Sequence, residues 1–225
     1  MASHKKDLKG TKVLITAGPT REYLDPVRFL SNPSTGRMGY AMAQAAARRG
    51  AQVLLISGPT ALETPVGVKR IDVVSAAEMY RETLRWAGRY PIIIMTAAVA
   101  DYRAAQVKKH KMKKKPAKSL QLKLVRTQDI LAVLGQRKTA NQYLVGFAAE
   151  TKGLVRAARR KLEDKNLDLI VANPVNHGRG FAESHNEATL IFADGRTRKL
   201  ARQSKARLAE RILTQINLSR SALID

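Results

Sequence analysis

The chain carries 225 residues, 44% of them apolar, with 41 Lys+Arg against 18 Asp+Glu for a net charge of +23, and no cysteine. That length and apolar fraction suffice for a substantial core, while the missing cysteines exclude disulfides, thiolate nucleophiles and zinc ribbons. No run of eighteen apolar residues occurs and the N-terminus is charged where an export signal needs its apolar region, so a cytoplasmic protein without membrane insertion is expected.

In chain order, residues 1–10, "MASHKKDLKG", read as a disordered tail, and "TKVLITAG" over 11–18 as a first strand. A dinucleotide fingerprint would place its glycines directly after that strand. Here a polar loop, "GPTREYLDPVRFLSN", intervenes before a helix that begins near Gly36 and stops at Gly50, a residue suited to the left-handed position past a helix end. Strands follow over 51–57 and 69–74. A helix then opens on Ser75 with Glu78 at capping-box spacing. The apolar run over 91–99 is a further strand, and 102–119, polar, lysine-rich and without period, is a flap. A helix from Thr127 or Gln128, a strand over 142–149, a helix from Thr151 to Lys165 and a strand over 168–173 come next. A hairpin turning at Asp194-Gly195 and a closing amphipathic helix capped by Ser204 complete the chain. Alternating helices and short apolar strands without polar alternation predict an α/β, Rossmann-like, mostly parallel sheet with helices on both faces, one domain over 1–225.

Several residues carry candidate chemistry. Ser34, Thr35, Gly36 and Gly39 stand where the first helix begins, so free N–H groups and the helix dipole can hold a phosphate; equally, the glycines can serve helix-strand packing. A nicotinamide site would want an acid after the second long strand, where this chain has Ser57-Gly58-Pro59, although Arg70 leaves NADP open. Asn32 and Arg28 precede the anion turn and can stabilise an oxyanion without changing protonation; a cap is the plain alternative for Asn32. Asp101 follows "TAAVA" at a strand end, where it can orient a ribose, a base or a magnesium ion. The flap lysines Lys111, Lys113 and Lys114 can fold over a triphosphate. Phe147 and Glu150 close another strand. Lys161 and Lys165, four apart, either clamp phosphates or pair with Glu163 and Asp164 on a solvated face. His4, His110, His177 and His185 lack ligand spacing, so no protein-built metal site is expected. The basic run from Lys108 to Arg126 keeps nucleic-acid binding as a rival, beside an NADP-dependent reductase.

Taken together, "ITAGPTREYLDPVRFLSNPSTGRMGYAMA", "AAVADYR", "KMKK", "VGFAAET" and "KNLDLIVAN" resemble the phosphopantothenoylcysteine synthetase family over nearly the whole chain. The resemblance implies a ligase of coenzyme A biosynthesis that joins 4′-phosphopantothenate to L-cysteine with CTP and Mg²⁺ through an acyl-cytidylate. It implies a nucleotide pocket at Ala97, Asp101, Lys111, Gln128, Asp129, Ile130, Leu131, Phe147, Lys161 and Lys165, with Asn32 and Arg28 acting on the acyl group beside Lys111. A homodimer is implied, and a synthetase part without the flavin-dependent decarboxylase to which it is often fused. A separate decarboxylase partner stays open, and no flavin is expected. Where the bacterial pattern commonly reads Pro-Asp-Ile, this chain has Gln128-Asp129-Ile130, and its flap reads Lys-Met-Lys-Lys where Lys-Ile-Lys-Lys is usual.

Overall fold

The computed structural model describes residues 6–113, 119–150, 153–174 and 183–221. Its strands are β1 (Lys12–Ala17), β2 (Arg21–Tyr23), β3 (Phe29–Ser31), β4 (Gln52–Ser57), β5 (Val68–Asp72), β6 (Ile92–Met95), β7 (Tyr102–Ala104), β8 (Leu124–Arg126), β9 (Tyr143–Glu150), β10 (Leu169–Pro174), β11 (His185–Phe192) and β12 (Thr197–Ser204). The helices are α1 (Arg37–Arg48), α2 (Ala76–Ala87), α3 (Ile130–Arg137), α4 (Leu154–Asp164) and α5 (Lys205–Ser221).

Eight strands form one sheet in the order β12-β11-β10-β9-β6-β1-β4-β5, parallel except for the antiparallel β11 and β12. The parallel strands are buried on both faces, which explains why they read as continuous apolar runs. One face packs Val13, Ile15, Leu55 and Val145 against α1 and α5, with Met42, Leu208 and Ile212 wholly enclosed. The opposite face packs Leu14, Leu54, Ile93 and Ile170 against α2, α3 and α4 through Met79, Leu134 and Leu162. The chain leaves β1 toward β4 and β5, then returns to the other side of β1 as β6. The order therefore reverses between β1 and β6, where an open α/β sheet leaves a crevice at its carboxyl edge.

The polar stretch after β1, expected as a loop, is a small antiparallel hairpin, β2 paired with β3. Arg21 lies over the Phe29 ring at 4.6 Å, and Tyr23 meets that ring edge-on at 5.5 Å. The hairpin docks on the sheet's β5 side: Arg21 N donates to the Val74 carbonyl at 2.8 Å, and buried Glu22 accepts from Ala76 N at 2.8 Å. That carboxylate sits at the N-terminus of α2, where the dipole favours it. The capping box of α2 forms as well, Ser75 accepting from Glu78 N at 3.2 Å.

Other expectations need correction. Of the expected tail, residues 6–10 are packed on the fold, Leu8 being 1% exposed and Asp7 paired with Arg49, while residues 1–5 lie outside the described residues. The strand expected over 91–99 ends at Met95, because Thr96 and Ala98 turn their N–H groups to Thr16 and Gly18 and leave the β9 ladder. The helix expected from Thr127 or Gln128 begins at Ile130, since Asp129 takes the cap, its carboxylate accepting from Ala132 N at 3.0 Å, while the Thr127 hydroxyl donates to Ala100. The next helix begins at Leu154; Thr151 lies outside the described residues. The flap is rooted in a second ribbon, β7 paired with β8, and Lys114 in it lies outside the described residues.

Candidate functional site

A cavity of about 730 Å³ opens at the β1/β6 reversal and runs across the strand ends from the α3/α4 face to the α1/α5 face. Ser34, Thr35, Gly36 and Gly39 line it at the N-terminus of α1. Ala97 and Asp101 follow β6, Gln128, Asp129, Ile130 and Leu131 lead into α3, Phe147 comes from β9, and Lys161 and Lys165 from α4. The fold thus brings the whole expected anion turn and nine of the expected nucleotide residues to one wall-to-wall space.

The two turn glycines divide the alternatives posed by their spacing. Gly36 caps α1 in a left-handed conformation, φ 76°, that a side chain rarely adopts, and so frees the first N–H groups of the helix toward the cavity. Gly39 serves packing: a Cβ there would stand 2.5 Å from Ala17 Cβ and 2.4 Å from Thr96 Oγ1, so α1 rests directly on β1.

Asn32 is not the cap of α1. It lies exposed at the end of β3 and its Nδ2 donates to the Ala98 carbonyl at 3.1 Å, with Val99 at 3.4 Å. Both partners are carbonyl oxygens that can only accept, which fixes the amide orientation. Ala98 and Val99 themselves line the cavity, so the amide stands at its rim, and its longer contact leaves one N–H poorly held. Arg28 and Lys111 are not brought to the cavity wall. Arg28 donates to the Met112 carbonyl at 2.9 Å and pairs with Asp25 at 3.4 Å, and Lys111 is exposed on the neighbouring flap residue.

Asp25 explains that placement. Fully enclosed, its carboxylate accepts from Val27 N and Arg28 N at 2.8 and 2.9 Å and from Met112 N at 3.0 Å, clasping the flap to the β2–β3 hairpin. The bond from Met112 is the largest influence holding its carboxyl below the usual range. Lys108 N also donates to Leu24 at 2.9 Å, so Lys111 is held near the hairpin by its immediate neighbours.

Lys165 does not pair with Glu163 or Asp164. It reaches Asp129 at 2.6 Å, locking α4 to the α3 cap. Burial resists ionisation of Asp129, but the bonds from Lys165 and Ala132 N outweigh it and hold its carboxyl low. Arg70, the residue that kept NADP open, is committed to Asp72 and the Leu62 carbonyl, and Ser57 after β4 is bonded to Tyr40. No third acid accompanies these groups in a metal-binding cluster among the described residues.

The sequence reading missed the α1/α5 side of the cavity. Arg37, Arg126, Asn173, Asn186 and Lys205 all line it. Asn173 is 7% exposed, and its Oδ1 has no hydrogen-bond partner among the described residues. Its signal was present, as the last polar residue of the strand "LIVAN"; Lys205, beyond a whole hairpin, had none. Five basic residues, Arg37, Arg126, Lys161, Lys165 and Lys205, thus face two acids, Asp101 and Asp129, a balance that favours a polyanionic ligand. No helix among the described residues is long and apolar enough to cross a membrane.

The family model for the DNA/pantothenate metabolism flavoprotein C-terminal domain matches residues 8–218. The "Coenzyme A biosynthesis bifunctional protein CoaBC" of Bacillus subtilis is 51% identical over 211 residues, 93% of this chain and 52% of that protein. Its namesake in Haemophilus influenzae is 47% identical over 214 residues, 95% of this chain and 53% of that protein. The chain therefore spans about half the length of these curated relatives. The crystal structure of the C-terminal domain of a Coenzyme A biosynthesis bifunctional protein CoaBC superposes with a TM-score of 0.81 at 41% identity, covering 95% of this chain and 97% of that one.

Proposed function

We propose, from the premise that this chain belongs to the DNA/pantothenate metabolism flavoprotein C-terminal domain family, that it ligates 4′-phosphopantothenate to L-cysteine with cleavage of CTP to CMP and pyrophosphate. The single observation that carries the reading is the cavity at the β1/β6 reversal, which joins the α1 anion turn to the α3/α4 residues. Its basic lining suits a triphosphate, and its relatives bear names from coenzyme A biosynthesis.

In this reading the base and ribose lie between Phe147, Asp101 and the residues 128–131, and the phosphates cross to the Ser34–Gly36 turn. A carboxylate oxygen of phosphopantothenate attacks the α-phosphorus, the bond to the β-phosphate oxygen breaks, and pyrophosphate leaves with the electron pair. The cysteine amine then attacks the acyl carbon of the mixed anhydride, the acyl C–O bond breaks, CMP leaves with the electron pair, and the proton of the amine passes to solvent. Asn32 donates its less-engaged N–H to the oxyanion of that second step, a role that needs no change of protonation. Lys111, held near the hairpin through Asp25 and Arg28, offsets charge at the α-phosphate as the carboxylate arrives. Exposed Asp101 would help to hold a magnesium ion, since Asp129 is taken by Lys165, and the ion would offset phosphate charge.

A homodimer is part of the proposal. Tyr23, Val27 and Phe29 on one ribbon and Tyr102, Leu122 and Leu124 on the other are all exposed, and β2 packs beside β7, which gathers apolar side chains at one place on the surface. The test of function is pyrophosphate release with phosphopantothenate, cysteine and each nucleoside triphosphate in turn. CTP should support release that depends on phosphopantothenate and runs faster than with ATP. Equal or better rates with ATP remove the nucleotide assignment, and no release with either removes the reaction.

A further inference from the structure

The basic pair at the far end of the cavity is used by none of these assignments. Lys205 opens α5, yet it is 6% exposed, and it lines the cavity with Arg37, the first residue of α1. Burial disfavours its ammonium charge, Arg37 adds like-charge pressure, and Glu183 acts the other way. Two cations on one stretch of cavity wall give it a positive potential that favours an anion beside them. Asn173 lines the same cavity, and its Oδ1, without a partner among the described residues, would accept from a ligand hydroxyl.

We infer that Lys205 and Arg37 form the seat of the leaving pyrophosphate, holding the β- and γ-phosphates of the nucleoside triphosphate. This rests on the triphosphate-dependent ligation proposed above. The placement follows from the sheet order. A base seated against α3 and α4 lies on one face, and Lys205 and Arg37 lie on the other, so a triphosphate spanning the strand ends brings its terminal phosphates to them. The β2–β3 hairpin, with Asn32 at its end, docks on the β5 side through Val74 and Ala76, whereas Lys205 stands on the β10/β11 side. An acyl carboxylate arriving by the hairpin therefore meets the α-phosphorus from the side away from Lys205. Bond formation to the carboxylate oxygen and bond cleavage toward the β-phosphate are then in line, and the negative charge gained by the departing oxygen falls beside the two cations with no proton moved. The phosphate of phosphopantothenate, on the hairpin side, is not their ligand.

Calorimetric titration of wild type, Lys205→Gln, Lys205→Arg and Arg37→Gln with CTP, ATP, CMP, inorganic pyrophosphate and phosphopantothenate separates the cases. Lys205→Gln should weaken CTP and pyrophosphate binding by about tenfold or more, the loss of a charge-assisted hydrogen bond, and leave CMP and phosphopantothenate unchanged. Lys205→Arg should recover most of the loss. Equal weakening of CMP and CTP, or weakening of phosphopantothenate alone, overturns the inference, as does wild-type triphosphate affinity in Lys205→Gln. Should Lys205→Gln fail to fold, exposed Arg37 carries the same comparison, and an Arg37→Gln variant with unchanged CTP affinity overturns the pair. A wild-type protein that binds neither triphosphate refutes the ligation reading itself, and this inference with it.

Discussion

Replacing Gly39 by alanine sets two opposed effects against each other at the base of the anion turn. Within α1 alanine is better than glycine by about 1 kcal/mol, so propensity alone predicts a gain. The new methyl, however, would stand 2.5 Å from Ala17 Cβ and 2.4 Å from Thr96 Oγ1, where ordinary carbon contacts lie at about 3.5–4.0 Å. Ala17 is a wholly buried strand residue, and the Thr96 hydroxyl is bonded to the Thr16 carbonyl, so neither neighbour can yield cheaply. Relief requires α1 to lift by about 1 Å from β1. Overpacking of this kind costs about 1–3 kcal/mol, and a helix that has lifted also loosens Met42, Ala45 and Ala46 from the core. Sterics should win, with a net loss of about 1–2 kcal/mol and a fall in Tm of roughly 2–8 °C in a chain of this size. The same lift displaces the Ser34–Gly36 turn, so triphosphate affinity should fall together with stability. Thermal unfolding and calorimetric nucleotide titration of Gly39→Ala test both halves. A variant as stable as wild type, with unchanged nucleotide affinity, would refute the reading that α1 is seated against β1 at this glycine.

Two other outcomes are expected. Asn32→Ala should spare activation and slow amide formation by about 10²-fold, so that quenched mass spectrometry finds an acyl-nucleotide persisting after cysteine is added; a folded variant that consumes it at the wild-type rate assigns Asn32 to structure alone. The Asp25 carboxyl is held low in the fold, so its clasp on the flap is intact above about pH 4, where an unfolded aspartate also ionises, and is lost as pH falls through the lower folded value. Trypsin cleavage between residues 102 and 119 at neutral pH should therefore be faster in Asp25→Asn than in wild type, and pepsin cleavage there at acid pH, where the wild-type clasp is lost, should be alike in the two; an Asp25→Asn variant as resistant to trypsin as wild type would show that the clasp does not hold the flap.

What was legible in the sequence follows from where each signal is stored. Ile92 to Met95 and Leu169 to Ala172 are buried on both faces, and a strand so placed writes its burial into consecutive residues. The Ser75/Glu78 box and the Asp194-Gly195 turn are likewise local. The β2–β3 hairpin escaped because its strands are three residues long and its turn runs through Asp25 and Pro26, with no Asn-Gly signal; what holds it is the reach of Glu22 to Ala76 and of Asp25 to Met112. Lys165 illustrates the same limit from the other side. Its spacing offered Glu163 and Asp164, but its partner is Asp129, which belongs to another helix. Lys205 was invisible because nothing near it in the chain is unusual; its meaning comes from Arg37 and Asn173, which only the closed sheet brings to the same cavity.

The packing of α5 on α1 also has a consequence for synthesis. The apolar face of α1, Met42, Ala45 and Ala46, belongs to the same core as Leu208, Ile212 and Ile216, and Arg49 joins Asp7 to the Glu210 carbonyl and Thr214 hydroxyl across that seam. A ribosome adds about 5–20 residues per second, so on the order of ten to thirty seconds pass between the emergence of α1 and that of its cover. Throughout that interval the parallel strands can pair while one side of the nascent sheet stays wet. Helix α5 is thus the piece that closes this side of the sheet, and a chain cut before Leu208 leaves Met42, Ala45 and Ala46 without their cover.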